Sequence, residues 1–311
     1  MAPGPPLDLF ARWPMMAAVS GPISASGAVG MRRPVGIFDS GLGGLTVVRA
    51  IRRRLPAEPI VYFGDTARVP YGIKSGRTVT RFAVEDAEFL ARFDPKFIVV
   101  ACNTASAAAL PALRKRFALP LCGVIEPGAR AAVAACGGRP IGVLGTEGTI
   151  ASGAYREAIH RLGASAALVE KACPLLVPLA EEGRASGDPV VRAVVAEYLA
   201  PLREAGVGVV VLGCTHYPLL KEAIAEALGP SVALVDSAEA VADEVAAELG
   251  AARLLAPDGA GSLRCFVSDH PDRFREVGRR FLGEPLSSVT LVTPEEFFAE
   301  PKVPARAEGE P

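Results

Sequence analysis

Two cysteines stand in matching settings. Cys102 opens Cys102-Asn103-Thr104, Cys214 opens Cys214-Thr215-His216, and each follows an apolar run rich in β-branched residues. A thiol at the carboxyl end of a strand and the start of a helix meets unpaired N–H groups and the positive end of the helix dipole. Both favour thiolate and predict a pKa lowered from about 8.5 toward neutrality. One such thiol suggests a nucleophile or a base. Two, on equivalent loops, suggest a cleft with sulfur on each wall. Inverting a carbon centre needs that arrangement, with a base on one face and an acid on the other, and groups titrating near the working pH exchange these roles best. A single strand-end cysteine would read as packing, since cysteine is among the most buried residue types; the matched pair, each followed by polar residues, favours chemistry.

The residues nearby suit the same task. Asn103, Thr104 and Thr215, with the N–H groups of their turns, can donate to a carboxylate. His216, two residues past Cys214, can take or return that thiol's proton; alone it would read as structural. Asp39, at the end of the first strand, points to the cleft of Cys102. The loop Asp39-Ser40-Gly41-Leu42-Gly43-Gly44 lacks the GxGxxG spacing of a dinucleotide site, and the chain has neither a Walker lysine loop nor a GxSxG elbow.

The elements that must hold these residues alternate short apolar runs with amphipathic stretches, the pattern of a mainly parallel α/β protein. Strands are expected at Val35–Asp39, Pro59–Phe63, Phe97–Ala101, Leu121–Ile125, Ile141–Gly145, Val207–Leu212, Val232–Asp236 and, last, Leu263–Val267. Helices are expected after the glycine loop through Arg54, over Arg77–Phe93, after Thr104, over most of Thr146–Leu162, and over Pro218–Leu228 and Ala238–Leu249. Val35–Ser40 lines up with Ile141–Thr146, and Cys102 with Cys214. The expected architecture is therefore two similar α/β units with mainly parallel sheets, each placing a thiol on a strand-to-helix loop. Residues 1–33 read as a poorly ordered extension and residues 301–311 as a tail.

The chain has 311 residues, 33 basic and 34 acidic side chains and a formal charge of −1, so charge gives no reason to bind nucleic acid or an anionic membrane. The six cysteines form no CxxC pair, and the three histidines offer no zinc spacing, so reduced thiols in a cytoplasmic protein are expected, with no metal. The apolar run Met15–Val19 is too short to span a bilayer or to serve as a signal peptide. Met31 is a candidate translation start.

Four segments together resemble the glutamate racemases of the aspartate/glutamate racemase superfamily: Gly36–Gly44, Gly64–Gly72, Val100–Ser106 and Leu212–Pro218. Gly145–Thr149 and Cys173–Glu181 are weaker supports. The resemblance runs in order from about residue 34 to 250, and no motif position departs from it. It implies a fold of two pseudo-symmetric α/β domains with the active site between them, the first holding 34–126 with 236–300 and the second 127–235. It further implies that Cys102 and Cys214 exchange protons with the substrate and that neither pyridoxal phosphate nor a metal is needed. It makes Asp39 the helper of Cys102, His216 that of Cys214, and Glu181 a further acid near the second thiol. It assigns substrate binding to Asp39, Ser40, Tyr71, Gly72, Asn103, Thr104, Thr215 and His216, with Thr146 and Thr149 as additions. It implies glutamate as substrate and supply of D-glutamate for peptidoglycan, with a homodimer as the assembly left open. Racemisation of aspartate and a two-lobed binding protein without catalysis are the competing readings. A redox role is disfavoured, because the two cysteines sit on separate loops.

Overall fold

The computed structural model describes residues 31–298. The first half runs β1 (Val35–Asp39), α1 (Leu45–Arg54), β2 (Ile60–Gly64), α2 (Gly76–Ala91), β3 (Phe97–Val100), α3 (Asn103–Arg116), β4 (Leu121–Gly123) and α4 (Ile125–Ala135). The second runs β5 (Ile141–Gly145), α5 (Glu147–Ala151), α6 (Ala154–Arg161), β6 (Leu168–Ala172), α7 (Leu176–Glu182), α8 (Pro189–Glu204), β7 (Val209–Gly213), α9 (Lys221–Leu228) and β8 (Ala233–Asp236). The chain then adds α10 (Ser237–Ala251), β9 (Leu263–Val267), α11 (Pro271–Leu282), β10 (Val289–Leu291) and α12 (Pro294–Phe297).

Every strand pairing is parallel, in two sheets ordered β10-β9-β2-β1-β3-β4 and β6-β5-β7-β8. Parallel strands are covered by helices on both faces, so the central ones read as unbroken apolar runs; β1, β3, β5 and β7 are buried throughout. The order β2-β1-β3-β4 repeats as β6-β5-β7-β8, which matches the internal likeness seen in the sequence. The first sheet is widened at its β2 edge by β9 and β10 from the end of the chain. One apolar cluster, with Val35, Leu45, Leu212, Tyr217, Val241 and Phe281, joins the two sheets.

Two strands were not expected. β6 is half-exposed and β10 is three residues long, and each lies at a sheet edge, where solvent on one side weakens the apolar signal. The helix expected over Thr146–Leu162 is broken into α5 and α6 by Gly153, whose φ of +68° suits glycine and reorients the chain. Of the expected front extension only residues 31–33 are described. Arg33 bonds Asp94 and the Pro95 carbonyl, and Lys96 Nζ donates to Met31 O at 2.7 Å. Residues 1–30 and the expected tail lie outside the described residues. Among the described residues no helix is long and apolar enough to cross a membrane.

Candidate active site

In open α/β sheets ligands bind beyond the carboxyl ends of the strands, and the candidate residues gather there. Cys102 takes the N-cap position of α3, its sulfur accepting from Ala105 N at 3.4 Å. Burial pushes this thiol up to about 12 and the negative charge of Asp39 adds to it, while the Ala105 N–H and the Ser40 hydroxyl pull the other way. The expectation of a thiol near neutrality is thereby corrected for Cys102. The sulfur is nearly enclosed, and the water it loses outweighs one amide contact. Asp39, also buried, has its carboxyl raised by burial, with His216 and the Gly41 N–H opposing. Its Oδ2 accepts from Gly41 N at 2.9 Å, and its Oδ1 has no hydrogen bond among the described residues.

Cys214 leaves the end of β7, but no α-helix starts there. A 3₁₀ turn, Tyr217–Leu220, comes first, and α9 begins at Lys221. Pro218, without an N–H, sits in that turn, so the sulfur's partner is a side chain instead: His216 Nδ1 lies 3.8 Å from Cys214 Sγ. Glu181, at the end of α7, meets His216 Nε2 at 3.1 Å. Burial opposes a charge on His216, but the hydrogen bonds and charges of Cys214 and Glu181 prevail and lift its pKa to about 10. Glu181 is lowered in return, chiefly by its bond to His216. Phe281 of α11 packs against the imidazole, with ring centroids 5.1 Å apart.

A third group joins the two sheets. Thr104 Oγ1 lies 2.9 Å from Thr146 Oγ1 and 3.2 Å from Thr149 Oγ1, which are themselves 3.0 Å apart. Thr146 caps α5, and Gly72 lies so close to it that a Cβ at residue 72 would stand 2.7 Å from Thr146 Cβ. Three hydroxyls and a helix start make a donor cluster suited to a carboxylate. Tyr71 is brought to the same place. Its buried hydroxyl is held between Asp65 and Asp86, away from the threonines, so its main chain is what it can offer a ligand.

The two walls meet closely. Gly43 of the β1 loop abuts Thr215 and His216, and Thr46 Oγ1, within reach of Gly43 O, lies 3.2 Å from Thr215 O. Cys214 lies near enough to Cys102 for its charge to raise the Cys102 thiol. Thus Asp39, Ser40 and Cys102 form one group, Glu181, Cys214 and His216 with Thr215 a second, and Thr104, Thr146 and Thr149 with Gly72 a third, while Asn103 follows Cys102.

The sequence pattern of the Asp/Glu/Hydantoin racemase family matches residues 42–245, well over half of the chain. The chain belongs to that racemase family. A glutamate racemase of Geobacter metallireducens is 54% identical over 262 residues, spanning 84% of this chain and 97% of that protein. Among solved structures, glutamate racemase from Francisella tularensis in complex with D-glutamate is 38% identical with a TM-score of 0.79, covering 84% of this chain and 98% of that one. Glutamate racemase from Thermus thermophilus in complex with β-chloro-D-alanine is 50% identical with a TM-score of 0.77, covering 86% and 99%.

Against the racemase fold, some neighbours of the site had no sequence signal. Arg273 of α11 lies 3.6 Å from Glu181 Oε2, and Arg280 donates to the Glu181 carbonyl at 2.6 Å. Tyr155 of α6 reads as core on the apolar face of its helix, yet its hydroxyl reaches Asn103 Oδ1 at 2.7 Å. Only the contact reveals either.

Proposed function

We propose that this chain interconverts L- and D-glutamate by a two-base mechanism in which Cys102 and Cys214 serve opposite faces of the α-carbon. The observation that carries the reading is the pair of sulfurs on equivalent loops of a duplicated fold, each with its own partner: Asp39 for one, His216 with Glu181 for the other. One sulfur takes the α-proton as the other returns a proton on the opposite face. The charge that develops on the α-carboxylate as an enediolate is met by neutral donors at helix starts, as in an oxyanion hole. Asn103, Thr104, Thr146, Thr149, Thr215 and the main chain of Ser40 and Tyr71-Gly72 supply them. No cofactor takes part in this scheme. Residues 34–126 with 236–298 form one lobe and 127–235 the other, and their closure expels water. The product, D-glutamate, would serve peptidoglycan synthesis in the cytoplasm.

The test is circular dichroism of L-glutamate with pure protein and no cofactor, run in D₂O. Decay of the signal to zero with one deuterium entering the α-carbon supports the reading. Turnover of aspartate alone would reassign the substrate, and binding of glutamate without exchange would make the chain a binding protein.

A further inference from the structure

Tyr155 has no task in the scheme above, yet it touches one of its donors. It is 1% exposed on α6. Its hydroxyl lies 2.7 Å from Asn103 Oδ1 and 3.1 Å from Ser237 Oγ, and Ser237 Oγ lies 3.3 Å from Leu212 O. Burial raises the phenol pKa, so the hydroxyl keeps its single proton to give. Asn103 directly follows Cys102 and lines a narrow space with Cys214 and Thr215. Oδ1 is engaged by Tyr155, and this is the one side-chain hydrogen bond of Asn103 among the described residues.

We propose that Tyr155 is a positioning residue that fixes the Asn103 amide with its NH₂ turned into the cleft, as a donor to a substrate carboxylate. The inference rests on the glutamate reading. The same atoms could be wired in reverse, with Asn103 Nδ2 donating to Tyr155, Tyr155 to Ser237 and Ser237 to Leu212 O. That circuit would present an amide oxygen to the cleft and repel a carboxylate. A substrate bearing one at this point selects the first circuit, in which Ser237 donates to Tyr155 and Tyr155 to Asn103. Because Tyr155 stands on α6 and Asn103 on α3, the donor is set only when the elements around both sheets are packed together.

The test is steady-state racemisation of glutamate by five variants beside the wild type. Tyr155→Phe keeps the ring and removes the proton. It should raise KM about tenfold, the worth of one net hydrogen bond, with kcat within about threefold and its pH profile unmoved. Adding it to Asn103→Ala should cause no further loss, since the hydroxyl then has nothing to orient. Ser237→Ala should leave KM within about twofold, because Tyr155 can still donate to Asn103. Asn103→Asp, decisive even if Tyr155→Phe fails to fold, should raise KM more than Asn103→Ala does. An unchanged KM in Tyr155→Phe, additive losses in the double variant, a Ser237→Ala rise matching that of Tyr155→Phe, or tighter binding by Asn103→Asp would each overturn the inference while the wild type still racemises glutamate. A wild type inert toward glutamate would overturn the proposed function and this inference with it.

Discussion

Gly43→Ala should separate the two walls of the cleft. A methyl at residue 43 would stand 2.5 Å from His216 Cε1 and 2.6 Å from Nδ1, with Thr215 Oγ1 closer still. Carbon contacts settle near 3.5–4.0 Å, so the loops must part by about 1 Å. The imidazole cannot simply swing aside, because Nε2 is bonded to Glu181 and the ring edge packs on Phe281. Nor is backbone strain the cause, since Gly43 is not among the glycines with positive φ. A misplacement of about 1 Å at reacting groups costs about 10²-fold in rate. The overpacking itself costs roughly 1–3 kcal/mol, a fall in Tm of about 2–10 °C. Kinetics by circular dichroism should therefore show kcat reduced about 100-fold in a protein that remains folded. Gly76→Ala, where a methyl would meet nothing within 4 Å, is the control and should match the wild type. A Gly43→Ala enzyme with kcat within about threefold of wild type would refute the claim that this approach sets the site.

Two further outcomes follow from the charges and from the chain's start. His216 holds its proton up to about pH 10 because Cys214 and Glu181 outweigh burial. Glu181→Gln removes one raising influence and leaves burial in place, so the alkaline limb of the kcat profile should move to lower pH by about one unit, near 1.4 kcal/mol; a stationary limb would contradict the coupling. Deleting residues 1–30 should leave Tm and turnover unchanged, because the segment lacks helical or strand periodicity and precedes the first strand; a large loss of either would show that the segment belongs to the fold.

Much of this architecture was legible because buried parallel strands end abruptly in polar residues. Val100 and Leu212 each give way within two residues to a cysteine, so both thiol loops could be placed from sequence. The repeat of β1 in β5 and of β3 in β7 survives in side chains that have the same core to fill. β6 and β10, exposed on one side, have no such constraint. The period of α11 is plain in Phe274, Val277 and Phe281, but nothing in it announces Phe281 against His216 or Arg273 beside Glu181. The state of Cys102 was misjudged because a helix start can be read from sequence, whereas the closure that removes water from the sulfur comes from residues distant in the chain. The hold on the Tyr71 hydroxyl was likewise not legible, since Asp86, fifteen residues on, shares it with Asp65.

The opposed-thiol claim is tested most directly by Cys102→Ser and Cys214→Ser, each offered both enantiomers of a glutamate carrying a leaving group at Cβ. A serine hydroxyl keeps the shape but is a far weaker acid, so either change should suppress racemisation in both directions by at least about 10²–10⁴-fold. Elimination needs only one deprotonation at Cα, with the leaving group departing from Cβ, so each variant should still process the enantiomer that faces its remaining thiol. The account predicts opposite enantiomer preferences for the two variants. Racemisation at the wild-type rate by both, or the same preference in both, would contradict it.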